Sequence, residues 1–177
     1  MLFRSEELSE IEIALAAKSE AGFRKLYNHY SPFVWRVAFR TANGDQQIAK
    51  EVLQSVFISV NRSLKKFNHK SVFSSWLYKI CWRESIHLVK KERNLLNKMV
   101  PLSGLEVSEE NYKFSEEEVN SLLVNLTPEQ RFLLVSREIE GFSFAELSEI
   151  SGKKEGTLRV TINRIKSKLK REVEYER

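Results

Sequence analysis

Along residues 45–64 the apolar side chains Ile48, Ala49, Val52, Leu53, Val56, Phe57, Val60 and Leu64 recur on one stripe of a 3.6-residue helix. Asp45, just after Asn43-Gly44, stands where a helix N-cap belongs. The same period predicts further helices on either side. Ser9 and Glu12 have capping-box spacing for a short helix to about Lys18. Phe23 to Tyr30 reads as a helix stopping before Pro32, and Phe33 to Ala42 as the next. A polar loop, residues 65–70, leads into a long helix from Val72 to Asn97. Ser115 and Glu118 cap a helix to Asn125. Thr127-Pro128-Glu129-Gln130 opens another, which Gly141 ends.

The last patterned stretch, Ser143 to Arg171, reads as a helix-turn-helix. Ser143 and Glu146 form a capping box for its first helix. Ser148 is small where a second helix must cross, and Gly152, four residues on, suits a tight left-handed bend. Leu158, Ile162, Ile165 and Leu169 then give the second helix one buried face. No strand pattern occurs, glycine and proline number only 6 and 3, and the class is all-α.

Between residues 99 and 113 the periodicity stops, and Pro101, Gly104 and several acids appear. The chain therefore divides into a helical module over 1–97, an acidic linker over 98–114 and a second module over 115–177. Charge supports the division. Residues 1–98 carry 17 Lys/Arg against 9 Asp/Glu, residues 99–125 carry 1 against 6, and residues 126–177 carry 11 against 9. Two basic blocks flanking an acidic strip suit two modules that each meet a polyanion.

Composition narrows the chemistry. There is no apolar run long enough to span a bilayer, and the acidic, interrupted N-terminus does not read as a signal peptide. The single cysteine, Cys81, fits a reducing, cytoplasmic location. There is no Gly-rich phosphate loop, no nucleophile elbow and no Cys/His cluster at metal spacing. No enzyme, cofactor or metal site is expected.

The second helix of the helix-turn-helix carries its chemistry opposite the apolar face. Gly156, Val160, Asn163, Arg164, Ser167 and Arg171 lie there, with Arg159 at the edge. Arginine and asparagine read guanine and adenine edges, and an outward valine suits a thymine methyl. Lys153, Lys154, Lys166, Lys168 and Lys170 suit phosphates. From 153 to 171 there are 8 basic residues and 1 acid, a bias favouring a DNA groove over a merely solvated face.

The helix from Val72 has two apolar stripes: Phe73, Trp76, Leu77, Ile80 and Cys81 on one side, Tyr78, Trp82, Ile86 and Val89 nearly opposite. Such a helix is either sandwiched or presents aromatics to a ligand. Lys79, Arg83, Lys90, Lys91 and Arg93 flank the second stripe, and aromatics among cations suit single-stranded DNA. Trp76 reads as core. Tyr78 and Trp82 fit either role.

Four segments in order, AKEVLQSVF (Ala49–Phe57), FNHKSVFSSWLYKI (Phe67–Ile80), LTPEQ (Leu126–Gln130) and EGFSFAELSEISGKKEGTLRVTINRIKSKL (Glu140–Leu169), resemble the extracytoplasmic-function group of sigma-70 factors. These are promoter-recognition subunits of bacterial RNA polymerase. The resemblance runs from about Phe23 to Lys170. It implies sigma region 2 followed by region 4. Glu51, Gln54 and Ser55 would bind the coiled coil of the largest polymerase subunit, and region 4 would meet the polymerase flap. Lys66, Phe67, Asn68, Lys70, Phe73, Trp76, Lys79, Trp82, Arg83 and His87 would meet the melted non-template strand of the −10 element. Lys153, Lys154, Thr157, Arg159, Val160, Asn163, Arg164, Ser167 and Lys168 would meet the −35 duplex. An anti-sigma factor is a further candidate partner.

The chain departs from the family pattern at several positions. It has Arg83 where the family commonly has Asn, and His87 where it commonly has Asp. Val160-Thr161 stand where Ser-Arg is common, which removes one phosphate grip and points to a thymine contact. Two rival functions stay open on the residues alone: a helix-turn-helix regulator that never binds polymerase, and an interaction module that binds polymerase or an anti-sigma protein without reading promoters.

Overall fold

The structure, a computed structural model, describes residues 8–67, 72–99 and 125–175. Seven helices stand among the described residues: α1 (Glu10–Ala16), α2 (Glu20–Thr41), α3 (Gln46–Ser63), α4 (Phe73–Met99), α5 (Pro128–Leu134), α6 (Phe144–Ser151) and α7 (Glu155–Tyr175). No strand occurs among them. The linker over 98–114 and the helix expected from Ser115 fall almost entirely outside the described residues.

The helix starts follow the cap chemistry. Ser9 and Glu12 close a capping box on α1, and Lys25 of α2 reaches Glu12 at 2.6 Å, tying the first two helices together. The Lys25 ammonium, with help from Ser9, holds the Glu12 carboxyl at about 2. Asp45 accepts from the Ile48 amide at 2.9 Å and opens α3. Thr127 with Gln130, and Ser143 with Glu146, form the same reciprocal box on α5 and α6.

The break expected at Pro32 is absent: α2 runs through it. Proline in a helix interior costs about 3 kcal/mol, through a lost donor and a ring clash. Here Leu26, Tyr30, Phe33, Val34, Val37 and Ala38 form one buried face spanning both sides of it. Full burial of each large apolar side chain contributes about 1.5–3 kcal/mol, so the face outweighs the proline. Pro32 itself points to solvent, where water can serve the freed carbonyl.

A second departure follows α5. Instead of continuing as α-helix to Glu140, the chain widens into a π turn over Val135–Ile139, with the Glu140 amide donating to the Val135 carbonyl at 3.0 Å. The Ser136 hydroxyl donates to the carbonyl of Phe132 within this turn. Gly141, at φ 76°, then redirects the chain.

The apolar core is continuous across both expected modules. It joins Ile13, Leu26, Val34, Val56, Leu77 and Cys81 to Phe132, Leu133, Phe142, Leu147, Leu158 and Ile162. The second stripe of α4 is therefore sandwiched. Tyr78 is fully buried, its ring 4.2 Å from Phe142 and 5.1 Å from Phe132. Its hydroxyl lies 2.7 Å from that of Ser136. Because Ser136 spends its proton on Phe132, Tyr78 is the donor. Polar links complete the seam. Arg131 donates to the Thr41 carbonyl at 3.2 Å, Arg40 faces Glu140 at 3.7 Å, and Glu129 holds both Lys90 (2.6 Å) and Lys153 (3.1 Å).

α1 and α2 approach closely at Gly22. A Cβ at Gly22 would sit 2.5 Å from the Leu15 carbonyl oxygen and 2.8 Å from the Ala16 nitrogen. Both are backbone atoms and cannot rotate away. Gly22→Ala is expected to destabilise the chain by about 1–3 kcal/mol, the usual cost of overpacking, read as a lower urea midpoint. An unchanged midpoint would mean that α1 is not seated on α2.

Candidate nucleic-acid interface

The helix-turn-helix forms as its residues predict. Gly152 ends α6 at φ 73°, donating its amide to the Ser148 carbonyl at 2.8 Å, and α7 starts three residues later. Leu158, Ile162 and Ile165 are buried, and Leu169 packs against the cluster of Ile165, Leu126 and Val135. This seats α7 on α5 and α6 and turns its opposite face outward. Thr157, Arg159, Val160, Asn163, Arg164, Ser167 and Lys168 are all exposed. Val160, half exposed at 50%, is the outward apolar group the wheel requires.

A groove of about 560 Å³ runs along this face, lined by Val160, Asn163, Arg164, Ser167, Lys168 and Arg171 with Gln130 of α5 and Leu126 just before it. Lys168 donates to the Asn125 carbonyl at 3.0 Å, which holds its ammonium at the rim. Lys154 is exposed beside the turn. Lys153 is half-buried and committed in this state to Glu129. Lys90 and Lys153 together hold the Glu129 carboxyl below its ordinary range. The stability this bridge adds is thus present above the ordinary carboxylate pKa and fades as pH falls through the lowered one.

Three residues of this face carry no signal in the helical wheel of α7. Phe144, half-buried at the start of α6, lies under two guanidinium groups: Arg159 at 4.4 Å and Arg137 at 4.6 Å from its ring centre. Gln130 lines the groove although its own side chain completes the α5 capping box. Arg137 sits in the π turn, whose form the sequence does not announce. The aromatic at position 144, directly after a capping serine, is the one clue in the primary structure.

A second groove, of about 600 Å³, lies on the N-terminal module. Arg62, Lys66, Lys79 and Arg83 line it with Trp76, Trp82, Ser59 and Ser63. Four cations around two indoles are suited to a strand whose bases stack and whose phosphates pair. Ile150 of α6 reaches into the same groove, so the C-terminal module borders it. Trp82 is half-buried, its ring 4.8 Å from Phe132 and nearly perpendicular to it.

The remaining −10 candidates divide. Lys66, Lys79, Arg83 and His87 are exposed, Phe67 and Trp76 half-buried. Asn68 and Lys70 lie outside the described residues. Phe73 is corrected from the surface to the core: it is 2% exposed, with its ring 5.1 Å from Tyr30, 5.3 Å from Trp76 and 5.4 Å from Phe67. In this state it backs the half-buried Phe67 and Trp76.

On α3, Glu51 and Gln54 are exposed and Ser55 half-buried. Glu51 accepts from Gln47 at 3.3 Å. The Ser55 hydroxyl donates to Glu84 of α4 at 2.8 Å, and Ser59 does the same at 2.9 Å. These two bonds, with Arg83, draw the Glu84 carboxyl down against the desolvation that opposes them. Ser55 thus braces α3 on α4, while Ile58, 43% exposed one turn beyond Gln54, continues the outward face. Sequence reasoning missed both Ile58 and Glu84, since each reads locally as an ordinary helix position.

Cys81 is fully buried, and desolvation pushes its thiol up to about 12. A thiol-specific disulfide reagent at neutral pH is expected to label the native chain negligibly and the urea-unfolded chain stoichiometrically. Rapid labelling of the native chain would contradict the burial. Among the described residues no helix is long and apolar enough to cross a membrane, and no group of three or more His, Cys, Asp or Glu side chains could hold a metal ion.

Fold and grooves together define an all-helical chain that carries a helix-turn-helix and two cation-lined grooves. The family descriptions Sigma-70 region 2 and Sigma-70 region 4 match residues 26–95 and 116–169. The chain belongs to the sigma-70 family, in its extracytoplasmic-function group. It is 28% identical over 154 residues to the ECF RNA polymerase sigma factor SigE of Mycolicibacterium smegmatis, covering 82% of this chain and 59% of that protein. It is 24% identical over 169 residues to SigM of Mycobacterium tuberculosis, covering 94% of this chain and 85% of that one. The chain thus spans little more than half the length of the SigE relative. In fold it is similar to CnrH, solved in complex with the cytosolic domain of CnrY (TM-score 0.69, 20% identity, 94% of this chain and 97% of that one). It is also similar to the sigma factor RpoE of Bartonella quintana, solved with the anti-sigma factor NepR (TM-score 0.71, 18% identity, 88% and 98%).

Proposed function

We propose that this chain binds core RNA polymerase and directs initiation at promoters, reading the −35 duplex with α7 and the melted −10 strand with the groove between α3 and α4. The observation that carries the reading is the pairing, in one chain, of an exposed α7 face bearing Arg159, Val160, Asn163 and Arg164 with a second groove of four cations and two tryptophans. A regulator that only grips a duplex has no need of the second groove. Glu51, Gln54 and Ile58 form the outward face of α3 suited to a basic partner helix such as the coiled coil of the largest subunit. The two grooves supply electrostatic affinity for DNA, so binding weakens with salt.

Immobilised chain is expected to retain core polymerase from purified components, and Glu51→Arg with Gln54→Arg to abolish retention while the helical content is unchanged. Failure of the wild-type chain to hold core enzyme sinks the proposal. Duplex binding by the chain alone, at full affinity and without polymerase, would move the reading to an ordinary helix-turn-helix regulator. Capture of the chain by an anti-sigma domain is compatible with this function and would compete with polymerase for it.

A further inference from the structure

We infer that Phe144 is a positioning residue for sequence readout: its ring holds the Arg159 guanidinium in the pose from which α7 reads a base. The inference rests on the promoter-reading function above and names the device that sets one position of its specificity.

Arg159 stands exposed on the first turns of α7, next in sequence to the groove-lining Val160. A free arginine there has many rotamers, and fixing them costs up to about 2 kcal/mol of side-chain entropy. Two groups hold its head at once. Glu155, one turn back on the same helix, accepts from Nη2 at 3.3 Å. Phe144, on α6, places its ring centre 4.4 Å from the guanidinium carbon. That distance is well inside the range of cation–π attraction, which is worth about 0.5–1 kcal/mol at an exposed site. The exposed ion pair alone is worth at most a similar amount and is screened by salt. Ring and carboxylate together fix a head that neither would hold alone.

The ring is itself well placed. Ser143 caps α6 through the Glu146 amide, so Phe144 enters the helix at its first position with a defined backbone direction. Arg137, anchored by a 2.8 Å bond to the Phe142 carbonyl, brings a second guanidinium to 4.6 Å from the same ring centre. Like charges repel, so Arg159 is confined to the part of the ring that Arg137 leaves open. The result is an arginine ordered before DNA arrives, and preordering favours the matched base because less entropy is lost on binding.

The test uses the full chain assembled with core polymerase and a pool of promoter duplexes randomised upstream of the start site. Wild type should enrich a defined upstream sequence. Arg159→Ala should flatten the preference at one position of it. Phe144→Leu, which removes the ring but keeps an apolar side chain, should weaken the preference at that same position by roughly two- to fivefold, with other positions unchanged. Phe144→Tyr, which keeps the ring, should restore it. In the Arg159→Ala background Phe144→Leu should add nothing. Urea midpoints of each variant establish that the module is folded, and Phe144→Met serves in place of Phe144→Leu should that variant unfold. An even loss across all positions, or an unchanged profile, overturns the positioning role while leaving promoter reading intact. A wild-type pool with no enriched upstream sequence overturns promoter reading, and this inference with it.

Discussion

Phe132→Ala is expected to destabilise the whole chain by about 3–5 kcal/mol, the usual cost of emptying a buried aromatic site. The ring is fully buried and touches both modules: Tyr78 at 5.1 Å and Trp82 at 4.8 Å on α4, and the apolar cluster of α5 to α7 on its own side. A domain of this size has about 5–15 kcal/mol in total, so the loss is a large fraction. Because the core is continuous, the variant should still unfold in one urea transition, followed alike by helicity and by tryptophan fluorescence. Two separated transitions would mean that the modules fold independently and that the seam through Tyr78 contributes little. Loss of the ring also frees one side of Trp82, so tryptophan emission of the folded variant should shift to the red.

The second large effect concerns α7. Arg164 is exposed in the middle of the groove beside Val160 and Lys168. If it reads a base edge with two hydrogen bonds, Arg164→Ala should reduce discrimination at one upstream base pair by about 1–3 kcal/mol, or roughly 5- to 150-fold. Lys168, which donates to the Asn125 carbonyl at the rim, is on the proposed function a phosphate grip. Lys168→Ala should therefore weaken all sequences evenly and lower the salt slope of binding by about 1. The contrast between the two variants separates reading from gripping. A position-selective loss from Lys168→Ala, or an even one from Arg164→Ala, would reverse the assignments. Val160→Ser, with the methyl contact removed, should relax one thymine position at a cost of about 1 kcal/mol.

Much of this was legible in the sequence because the signals are local. Capping boxes at Ser9, Thr127 and Ser143, the cap at Asp45 and the left-handed Gly152 all depend on residues within a few positions of each other. The α7 face is set by its own period, so Val160, Asn163 and Arg164 emerged where the wheel put them. What stayed hidden is non-local. Pro32 reads as a helix stop until one knows that Leu26, Tyr30, Phe33 and Val34 share a buried face across it. Tyr78 and Trp82 could have faced bases or core, and only the packing of α5 against α4 decides. That packing depends on contacts between residues more than fifty positions apart, such as Tyr78 with Ser136. Phe73 reads as part of an aromatic cluster open to a strand, yet the ring is enclosed by Tyr30 on α2. Phe144 and Arg159 are fifteen positions apart on different helices, and no periodicity links them.

The docking of α5 and α6 on α4 has a consequence for promoter reading. Trp82 is covered on one side by Phe132, and Ile150 borders the groove where the melted strand would lie. Glu129 holds Lys153, a candidate phosphate grip, against Lys90. On the proposed function, strand binding through Trp82 therefore requires this seam to loosen, while the α3 face proposed for polymerase stays open elsewhere on the module.

The central claim, that the chain confers promoter selectivity on polymerase, is tested most directly by run-off transcription from genomic fragments with purified core enzyme, with and without the chain. The account predicts a restricted set of new start sites that share upstream and −10 sequences and vanish with Arg159→Ala and Arg164→Ala together. Start sites identical with and without the chain would contradict it.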